Sequence, residues 1–271
     1  MSTPIGNLGD FSYRAVDVLR SVRLIVAEDT RHSKPLLARY GIGTPTASHH
    51  EHNEAKTTPR LVERLLGGDD IALITDAGTP LLSDPGERLV RAAIDGGITV
   101  VPVPGASAVL AALVASGLPA ERFTFFGFVP RKGKERRQTL DEIASSPHTA
   151  ILYEAPGRVA ESLRELAERA GERSAVVARE LTKQFEELRR GTLESLSAYY
   201  KDTPPRGEVV ILVAGAPPVT VDENVWADEA RELRASGASV KDVVATLTKK
   251  GVSRNAAYRL AREAESGKGD T

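Results

Sequence analysis

The chain has 271 residues, of which 41% are apolar and 27% are charged, as is usual for a globular protein of one to two domains. It contains no cysteine, which excludes disulfides, thiolate zinc sites and cysteine nucleophiles. No apolar run reaches the length of a membrane span, and a cytoplasmic location is expected. The net charge of −1 excludes an overall basic protein but not a local basic patch that binds RNA.

Strands and helices alternate along residues 1–118. A first helix is expected after Asp10 as its N-cap, and a second one ends at Gly41. The apolar runs LIVAED (24–29), IALIT (71–75) and ITVVPV (98–103) are expected to be buried strands. The small-residue helix that follows ends at Gly117. Such alternation predicts a parallel sheet that is covered by helices.

The α/β pattern continues through residues 119–216 and changes after a proline-bearing linker. Strands are expected at RFTFFGFV (122–129), TAILYE (149–154), SAVVARELT (174–182) and GEVVILVAG (207–215). Residues 222–271 resemble three short helices, with Ser239 and Ser253 as N-caps. This last segment has a helix-turn-helix pattern. Contact with RNA and a purely structural, covering role both remain open for it.

Three loops at the ends of expected strands carry polar and small residues. DAGTP (76–80) lets a ligand approach the backbone closely at Gly78, and PGASA (104–108) offers the Ser107 hydroxyl. In AEDTRH (27–32) two carboxylates precede an arginine and a histidine, a combination that suits a general base or an N-cap with a salt bridge. The neighbouring SDPGE is best explained as a capping box with Asp84 as N-cap.

Two further clusters of polar residues are candidates for ligand binding. His50 and His52 in HHEHNE would share one face of a strand, but no third ligand follows at suitable spacing, so no metal is expected. RKGKERR (131–137) places five cations in seven positions, and Arg158 opens a helix after YEAPGR. Guanidinium and ammonium groups at these places suit phosphate binding, although a solvated helix start is the alternative for RKGKERR.

Nine motifs occur in an order that resembles a known family. They are TPIGNLGD (3–10), AEDTRHSKPLL (27–37), SHHEHNE (48–54), TDAGTPLLSDPG (75–86), VPGASA (103–108), FFGFVPRKGKERR (125–137), YEAPGR (153–158), ARELTKQFEE (178–187) and RGEVVILV (206–213). Together they resemble the small-subunit ribosomal RNA methyltransferases of the tetrapyrrole methylase superfamily.

The resemblance implies two α/β domains, residues 1–118 and 119–216, with an S-adenosylmethionine cleft between them, and a small helical domain at 222–271. It also implies a homodimer without membrane contact and 2′-O-methylation of a decoding-centre cytidine in 16S rRNA, within the small ribosomal subunit. On this basis the catalytic candidates are Glu28, Asp29 and Asp76. The expected cofactor-binding residues are Pro4, Gly78, Thr79, Leu82, Ser107, Ala108, Tyr153, Ala155 and Ala214. The expected RNA-binding residues are Arg31, Arg131, Lys132, Lys134, Arg136, Arg137 and Arg158.

The chain departs from the family in one respect. Members carry an apolar strand before TPIGN, whereas here only Met1 and Ser2 precede this motif. A version with such a strand is expected to be more stable. Two other functions stay open: C-methylation of a cobalamin or sirohaem precursor, and a non-catalytic factor that binds the ribosome.

Overall fold

The computed structural model describes residues 1–217 and 223–266. The chain forms two compact units, Met1–Ala216 and Pro217–Thr271. In these two described stretches no helix is long and apolar enough to cross a membrane.

The first sheet is parallel, as the alternating pattern predicts. Its strands are β1 (Leu24–Ala27), β2 (Thr46–Ser48) and β3 (Ile71–Ile74), in the order β2-β1-β3. The helices of this part are α1 (Tyr13–Ser21), α2 (Thr30–Arg39), α3 (Glu54–Leu66), α4 (Glu87–Asp95) and α5 (Ala108–Ser116). All four residues of β1 are buried, because helices cover both faces of this central strand. The parallel arrangement brings the carboxyl ends of the three strands to one edge, where the polar loops begin.

The expected strand ITVVPV is absent, since residues 98–103 belong to no strand. Val103 accepts a hydrogen bond from the backbone of Ser2 at 3.2 Å, and the amino group of Met1 donates to Leu73 at 2.9 Å. Between β3 and residues 98–104 lies an apolar groove of about 780 Å³. Among residues 1–217 and 223–266, β1 is the only strand that pairs with β3, so no strand bridges the groove from β3 to residues 98–103.

The second sheet is mixed and holds five strands. They are β4 (Phe123–Phe128), β5 (Thr149–Glu154), β6 (Ser174–Arg179), β7 (Glu187–Thr192) and β8 (Val209–Val213), in the order β4-β5-β8-β6-β7. Only β4 and β5 are parallel, and the other pairs are antiparallel. Helices α6 (Gly133–Ser145), α7 (Val159–Ala170) and α8 (Leu193–Asp202) bury a core of Leu, Ile and Val against one face.

Helix α5 covers the other face of this second sheet, although it precedes the sheet in the chain. Val109, Ala112 and Leu113 lie in one core cluster with residues of the sheet such as Ile151 and Leu212. The helix is apolar all round, which suits an element that is packed on a sheet. The two sheets are therefore joined in a single compact unit.

The caps expected from the sequence are partly confirmed. Gly41 has φ of 60°, and the hydrogen bonds that follow α2 close in the manner of a C′ glycine. The N-cap of α1 is Ser12 and not Asp10, because Asp10 lies in a separate 3₁₀ turn. Ser12 accepts a hydrogen bond from Ala15 at 3.1 Å, which satisfies one of the first free amides of α1.

Within residues 223–266 the second unit has three helices, as the sequence predicts. They are α9 (Glu223–Ala235), α10 (Val240–Lys249) and α11 (Arg254–Ser266). Ser239 and Asp242 form a capping box at α10, and Ser253 accepts a hydrogen bond from Ala256 at the start of α11. The predicted fold class, α/β layers followed by C-terminal helices, is confirmed.

Candidate active site

Three loops from separate parts of the chain meet at the carboxyl edge of the first sheet. Thr3 and Gly78 exchange two backbone hydrogen bonds of 2.8 and 3.1 Å. The hydroxyls of Ser2 and Thr79 are 3.0 Å apart, and Thr79 donates to the carbonyl of Ala106 at 3.2 Å. The TPIGN, DAGTP and PGASA loops thus form one surface, and this juxtaposition brings together most of the cofactor-binding residues expected from the sequence.

The backbone conformation at position 78 requires a glycine. Its φ is +84°, and a Cβ atom there would lie 3.4 Å from the side chain of Ile5. Its N–H and one lone pair of its C=O are bonded to Thr3, so Gly78 can contact a ligand through its Cα and the second lone pair of its carbonyl. The glycine therefore shapes the loop surface, and its substitution would also change the fold locally.

The loop between β3 and α4 is strained. Leu81 and Ser83 have φ of 73° and 68°, a region that residues with a side chain rarely occupy. Leu82 is 41% exposed although it is apolar. Strain of this kind is concentrated in ligand-binding loops, because the surrounding structure has to hold it in place.

Three carboxylates surround Thr75 at the end of β3. The Thr75 hydroxyl donates to Oε2 of Glu28 at 3.3 Å and also lies beside the carboxylate of Asp84. Asp76 accepts a hydrogen bond from the backbone of Asp29 at 3.1 Å. We call Glu28, Asp76 and Asp84 the carboxylate cluster.

Burial and neighbouring charges raise the pKa of two members of the carboxylate cluster, Glu28 and Asp84. Burial is the main reason why the pKa of Asp84 rises to about 6, and the charges of Glu28 and Asp76 raise it further. Burial and the charge of Asp76 also raise the pKa of Glu28 above its usual value. A carboxylate with a raised pKa is a better general base near neutral pH than an ordinary one.

Asp84 was assigned from the sequence as a helix cap, and this assignment is wrong. Helix α4 begins at Glu87, and its N-cap is Gly86 with φ of 122°. A Cβ atom at Gly86 would lie 2.7 Å from Leu73, so the chain turns there on glycine. Asp84 therefore lies before the helix and is left to join the carboxylate cluster.

Asp29 has a structural environment. Its carboxylate caps α2 by accepting from the Arg31 backbone at 2.8 Å, and it binds the Arg31 guanidinium at 3.1 and 2.7 Å. These bonds hold the pKa of Asp29 well below its usual range, which makes it a weak base. The N-cap and salt-bridge interpretation thus accounts for Asp29, and Arg31 is engaged with it.

Tyr153 at the end of β5 faces the carboxylate cluster from the second sheet. Burial, followed by the charge of Asp84, raises the pKa of Tyr153 to about 12. Its ring contacts Phe125 and Phe128 at centroid distances of 4.9 and 5.2 Å. Polar groups of the first sheet and aromatic groups of the second sheet thus meet at one place.

A buried ion-pair network holds the loop behind Tyr153. Arg136 donates to Glu165 and Ser162, both at 3.0 Å, and its side chain is only 7% exposed. Glu154 is buried, and it accepts from Arg158 at 2.5 Å and from the Ala155 backbone at 2.8 Å. Arg136 and Arg158 are therefore engaged in this network, and their expected binding to RNA stays a prediction.

Ala214 lies away from the other cofactor candidates. Strand β8 is antiparallel to β5, with Val213 opposite Ala150 and Val210 opposite Tyr153. Ala214 follows Val213 and is therefore at the opposite end of the sheet from Tyr153. Its placement in the site came from the family resemblance and stays a prediction, which the antiparallel pairing does not favour.

The remaining basic candidates form an exposed group at the start of α6. They are Arg131, Lys132, Lys134 and Arg137. The histidine motif is a turn that leads into α3, and the rings of His50 and His52 are 6.0 Å apart. Within residues 1–217 and 223–266 no three potential ligands are placed to hold a metal ion.

Known proteins resemble the chain over most of its length. A model of the family described as Tetrapyrrole (Corrin/Porphyrin) Methylases matches residues 2–197. Ribosomal RNA small subunit methyltransferase I of Synechocystis sp. is 44% identical over 98% of this chain and 97% of its own. The protein of the same name from Pseudomonas aeruginosa is 51% identical over 86% of this chain and 84% of its own.

Solved structures agree with this in fold. A cobalt precorrin-4 methyltransferase has a TM-score of 0.60 at 18% identity, covering 79% of this chain and 92% of its own. A uroporphyrin-III C-methyltransferase from Thermus thermophilus, solved with S-adenosyl homocysteine, has a TM-score of 0.55 at 19% identity, with coverages of 78% and 94%. Family model and relatives together show that the chain is a methyltransferase of the tetrapyrrole methylase family, in the group of the ribosomal RNA small subunit methyltransferases I.

Proposed function

We propose that the protein transfers a methyl group from S-adenosylmethionine to the ribose 2′-hydroxyl of a decoding-centre cytidine in 16S rRNA, within the small ribosomal subunit. The observation that carries the substrate class is the similarity, over nearly the whole chain, to relatives named as ribosomal RNA small subunit methyltransferases. The cytidine and the 2′ position rest on the family resemblance of the nine motifs. A substrate of this kind places the protein in the cytoplasm.

The three-loop surface fits the cofactor in shape and charge. Glycine and alanine line it, so an extended ligand can lie close to the backbone. The start of α5, capped by Ser107, favours a negatively charged group such as a carboxylate. When bound, S-adenosylmethionine supplies a methyl group on a positively charged sulfur, which the carboxylate cluster would attract. The residues proposed to hold it are Pro4, Gly78, Thr79, Leu82, Ser107, Ala108, Tyr153 and Ala155.

Asp84 is the proposed general base, in place of Asp29. A carboxylate oxygen of Asp84 would take the proton from the ribose 2′-hydroxyl. The ribose oxygen would form its bond to the methyl carbon as the bond between that carbon and the sulfur breaks. Glu28 and Asp76 support this step by raising the pKa of Asp84 through their charges. General base catalysis typically contributes about 10²- to 10⁴-fold in rate.

The exposed cations at the start of α6 are proposed to bind phosphates of the substrate. Arg131, Lys132, Lys134 and Arg137 are all exposed within one turn and its flank. Contacts to phosphate position the RNA without reading its sequence, and salt weakens them. The shape of the folded subunit then contributes to recognition.

A homodimer is proposed from an apolar surface on α5. Leu110 is 52% exposed, and Val114, one helical turn later on the same face, is 79% exposed. Exposed apolar side chains that adjoin on a surface are typical of an interface. A second copy is the proposed partner, and Val114→Asp should shift the protein to monomers in sedimentation experiments. An unchanged sedimentation coefficient would refute this interface.

The deciding experiment incubates the protein with methyl-labelled S-adenosylmethionine and one of three substrates. These are small ribosomal subunits that lack the modification, protein-free 16S rRNA, and a precorrin. Label at a cytidine ribose in the subunits supports the proposal. Label in the precorrin alone would support the C-methylase. No label, together with no heat of S-adenosylmethionine binding in calorimetry, would leave the non-catalytic ribosome-binding factor.

A further inference from the structure

The three helices of the second unit enclose a core of their own. Six buried helical residues and Val252 of the turn between α10 and α11 form it, and Leu247 and Leu260 are the largest of them by side chain. Helices α10 and α11 are joined by only four residues, as in a helix-turn-helix. Capping at Ser239 and Ser253 fixes the start of both helices. Helix α11 is therefore held in a defined position within the unit.

Charge is distributed unevenly within this unit. Between Val243 and Arg262 the sequence has five cations and no carboxylate. The sequence has carboxylates on both sides of this stretch: Asp228, Glu229 and Glu232 in α9, Asp242 in α10, and Glu263 and Glu265 in the last turn of α11. Lys250 binds Glu229 and lies 5.8 Å from the ring of Trp226, so it is part of the contact with α9. The other cations of the stretch give the turn before α11 and the first nine residues of α11 a basic character.

The exposed side of α11 carries residue types that bind nucleic acid. Its apolar residues Ala257, Leu260 and Ala261 are buried, which directs the remaining side chains outward. Tyr258 is 50% exposed, and the guanidinium of Arg262 lies 5.5 Å from its ring. Five residues of α11 are exposed on this side, and we call them the α11 face: Arg254, Asn255, Tyr258, Arg259 and Arg262.

The chemistry of the α11 face matches folded RNA. Guanidinium groups bind phosphates, the Asn amide bonds to base edges or sugars, and an exposed Tyr ring stacks on unpaired bases. An acidic protein as partner would match the positive charge of the face, but it would not account for the exposed aromatic ring between the arginines. The face is one helix with spacing i, i+4 and i+8 at Arg254, Tyr258 and Arg262, so these three side chains lie in a row.

We infer that the α11 face is a second RNA-binding surface, which binds the phosphate backbone and an unpaired base of the substrate RNA away from the nucleotide that is methylated. This rests on the proposed function for the identity of the RNA. The α11 face supplies affinity for the folded substrate, while the chemistry stays with the carboxylate cluster.

The test compares two full-length double variants that remove the same charge. Arg254→Gln with Arg259→Gln changes the α11 face and keeps a good helix former at both positions. Arg231→Gln with Lys241→Gln is the matched control on α9 and α10, outside the face. A third variant, Tyr258→Ala, removes the ring alone. Circular dichroism confirms that all three keep their helices.

Binding to small ribosomal subunits and to protein-free 16S rRNA is measured at several salt concentrations. We expect the α11 double variant to bind at least tenfold more weakly, with a slope of log Kd against log salt that falls by about two. The control double variant should keep the slope of the native protein. Tyr258→Ala should weaken binding without changing the slope, because stacking involves no counterion release.

Methyl transfer is measured in parallel. The α11 double variant should have a raised KM and an unchanged kcat at saturating subunits, with unchanged S-adenosylmethionine binding in calorimetry. An α11 double variant with the Kd and salt slope of the control overturns the inference. If the native protein binds subunits through α11 but transfers no label to them, the α11 inference stands and the proposed function fails.

Discussion

Asp84→Asn should make the protein more stable and nearly inactive at the same time. The substitution keeps the size of the side chain and removes one of the three charges of the carboxylate cluster. Burial and the neighbouring Glu28 and Asp76 disfavour the charged form of Asp84 in the folded protein. The neutral amide does not carry that penalty, but it cannot accept a proton from a ribose hydroxyl.

The pH dependence of this effect follows from the direction of the shift. The pKa of Asp84 rises from an ordinary value of 3.8 to about 6 on folding, so the native state holds its proton where the unfolded chain has lost it. Asp84 therefore reduces stability increasingly as pH rises from about 4 to about 6, and by a constant amount above that. A shift of this size corresponds to about 3 kcal/mol. Because Asp84 is half-buried, solvent screening reduces it to about 1 kcal/mol.

The assay is thermal unfolding at pH 4, 5, 6 and 7.5, combined with methyl transfer to small ribosomal subunits. The gain in Tm of Asp84→Asn should be small at pH 4, grow up to about pH 6, and then stay level. Transfer should fall by about 10²-fold or more. Asp17→Asn, on the exposed side of α1, is the matched control and should change neither quantity. A Tm gain that is independent of pH, or transfer within threefold of the native rate, would refute the role given to Asp84.

The other predictions concern stability. Gly78→Ala should lower the free energy of unfolding by about 1–2 kcal/mol and weaken cofactor binding, because φ of +84° disfavours any side chain; an unchanged urea midpoint would contradict this. Arg136→Met should cost about 3 kcal/mol by removing the guanidinium that pairs with Glu165 and lies beside the buried Glu154. Exposed Arg137→Met should cost less than about 0.5 kcal/mol and weaken RNA binding instead, as urea unfolding and filter binding would show. An apolar strand of about six residues appended before Met1 should fill the groove beside β3 and raise stability by about 2 kcal/mol. A Gly/Ser extension of equal length is the control, and equal Tm values for the two extended proteins would contradict this prediction.

Strands that are buried on both faces could be predicted from the sequence alone. TAILYE is β5 with both ends correct, because its apolar run is bounded by turn residues and pairs on both sides. ITVVPV has the same composition, but composition does not reveal whether a neighbouring strand is present. The edge strand β7 was missed because ELRRGT is polar and pairs only with β6.

The site was harder to predict than the fold, because its residues meet through tertiary contacts. The sequence identified the loops around Gly78, Ser107 and Glu28. It misjudged Asp84, since DPGE has the form of a capping box. The helix starts only after the turn at Gly86, so the Asp84 carboxylate does not cap it. Ala214 was expected from the family resemblance, and residue types alone do not show that β8 is antiparallel to β5, which puts Ala214 at the opposite end of the sheet from Tyr153.

In the carboxylate cluster, binding of the cationic cofactor is coupled to the release of protons from Glu28 and Asp84. A positively charged sulfur beside Glu28 and Asp84 would favour their ionised forms and so lower the pKa values that burial and neighbouring charges have raised. By reciprocity, acid conditions that protonate the cluster must weaken the affinity for the cation by the same factor. The neutral demethylated product has no such charge, so its affinity should be nearly independent of pH, and the cluster would then prefer substrate over product most strongly under alkaline conditions.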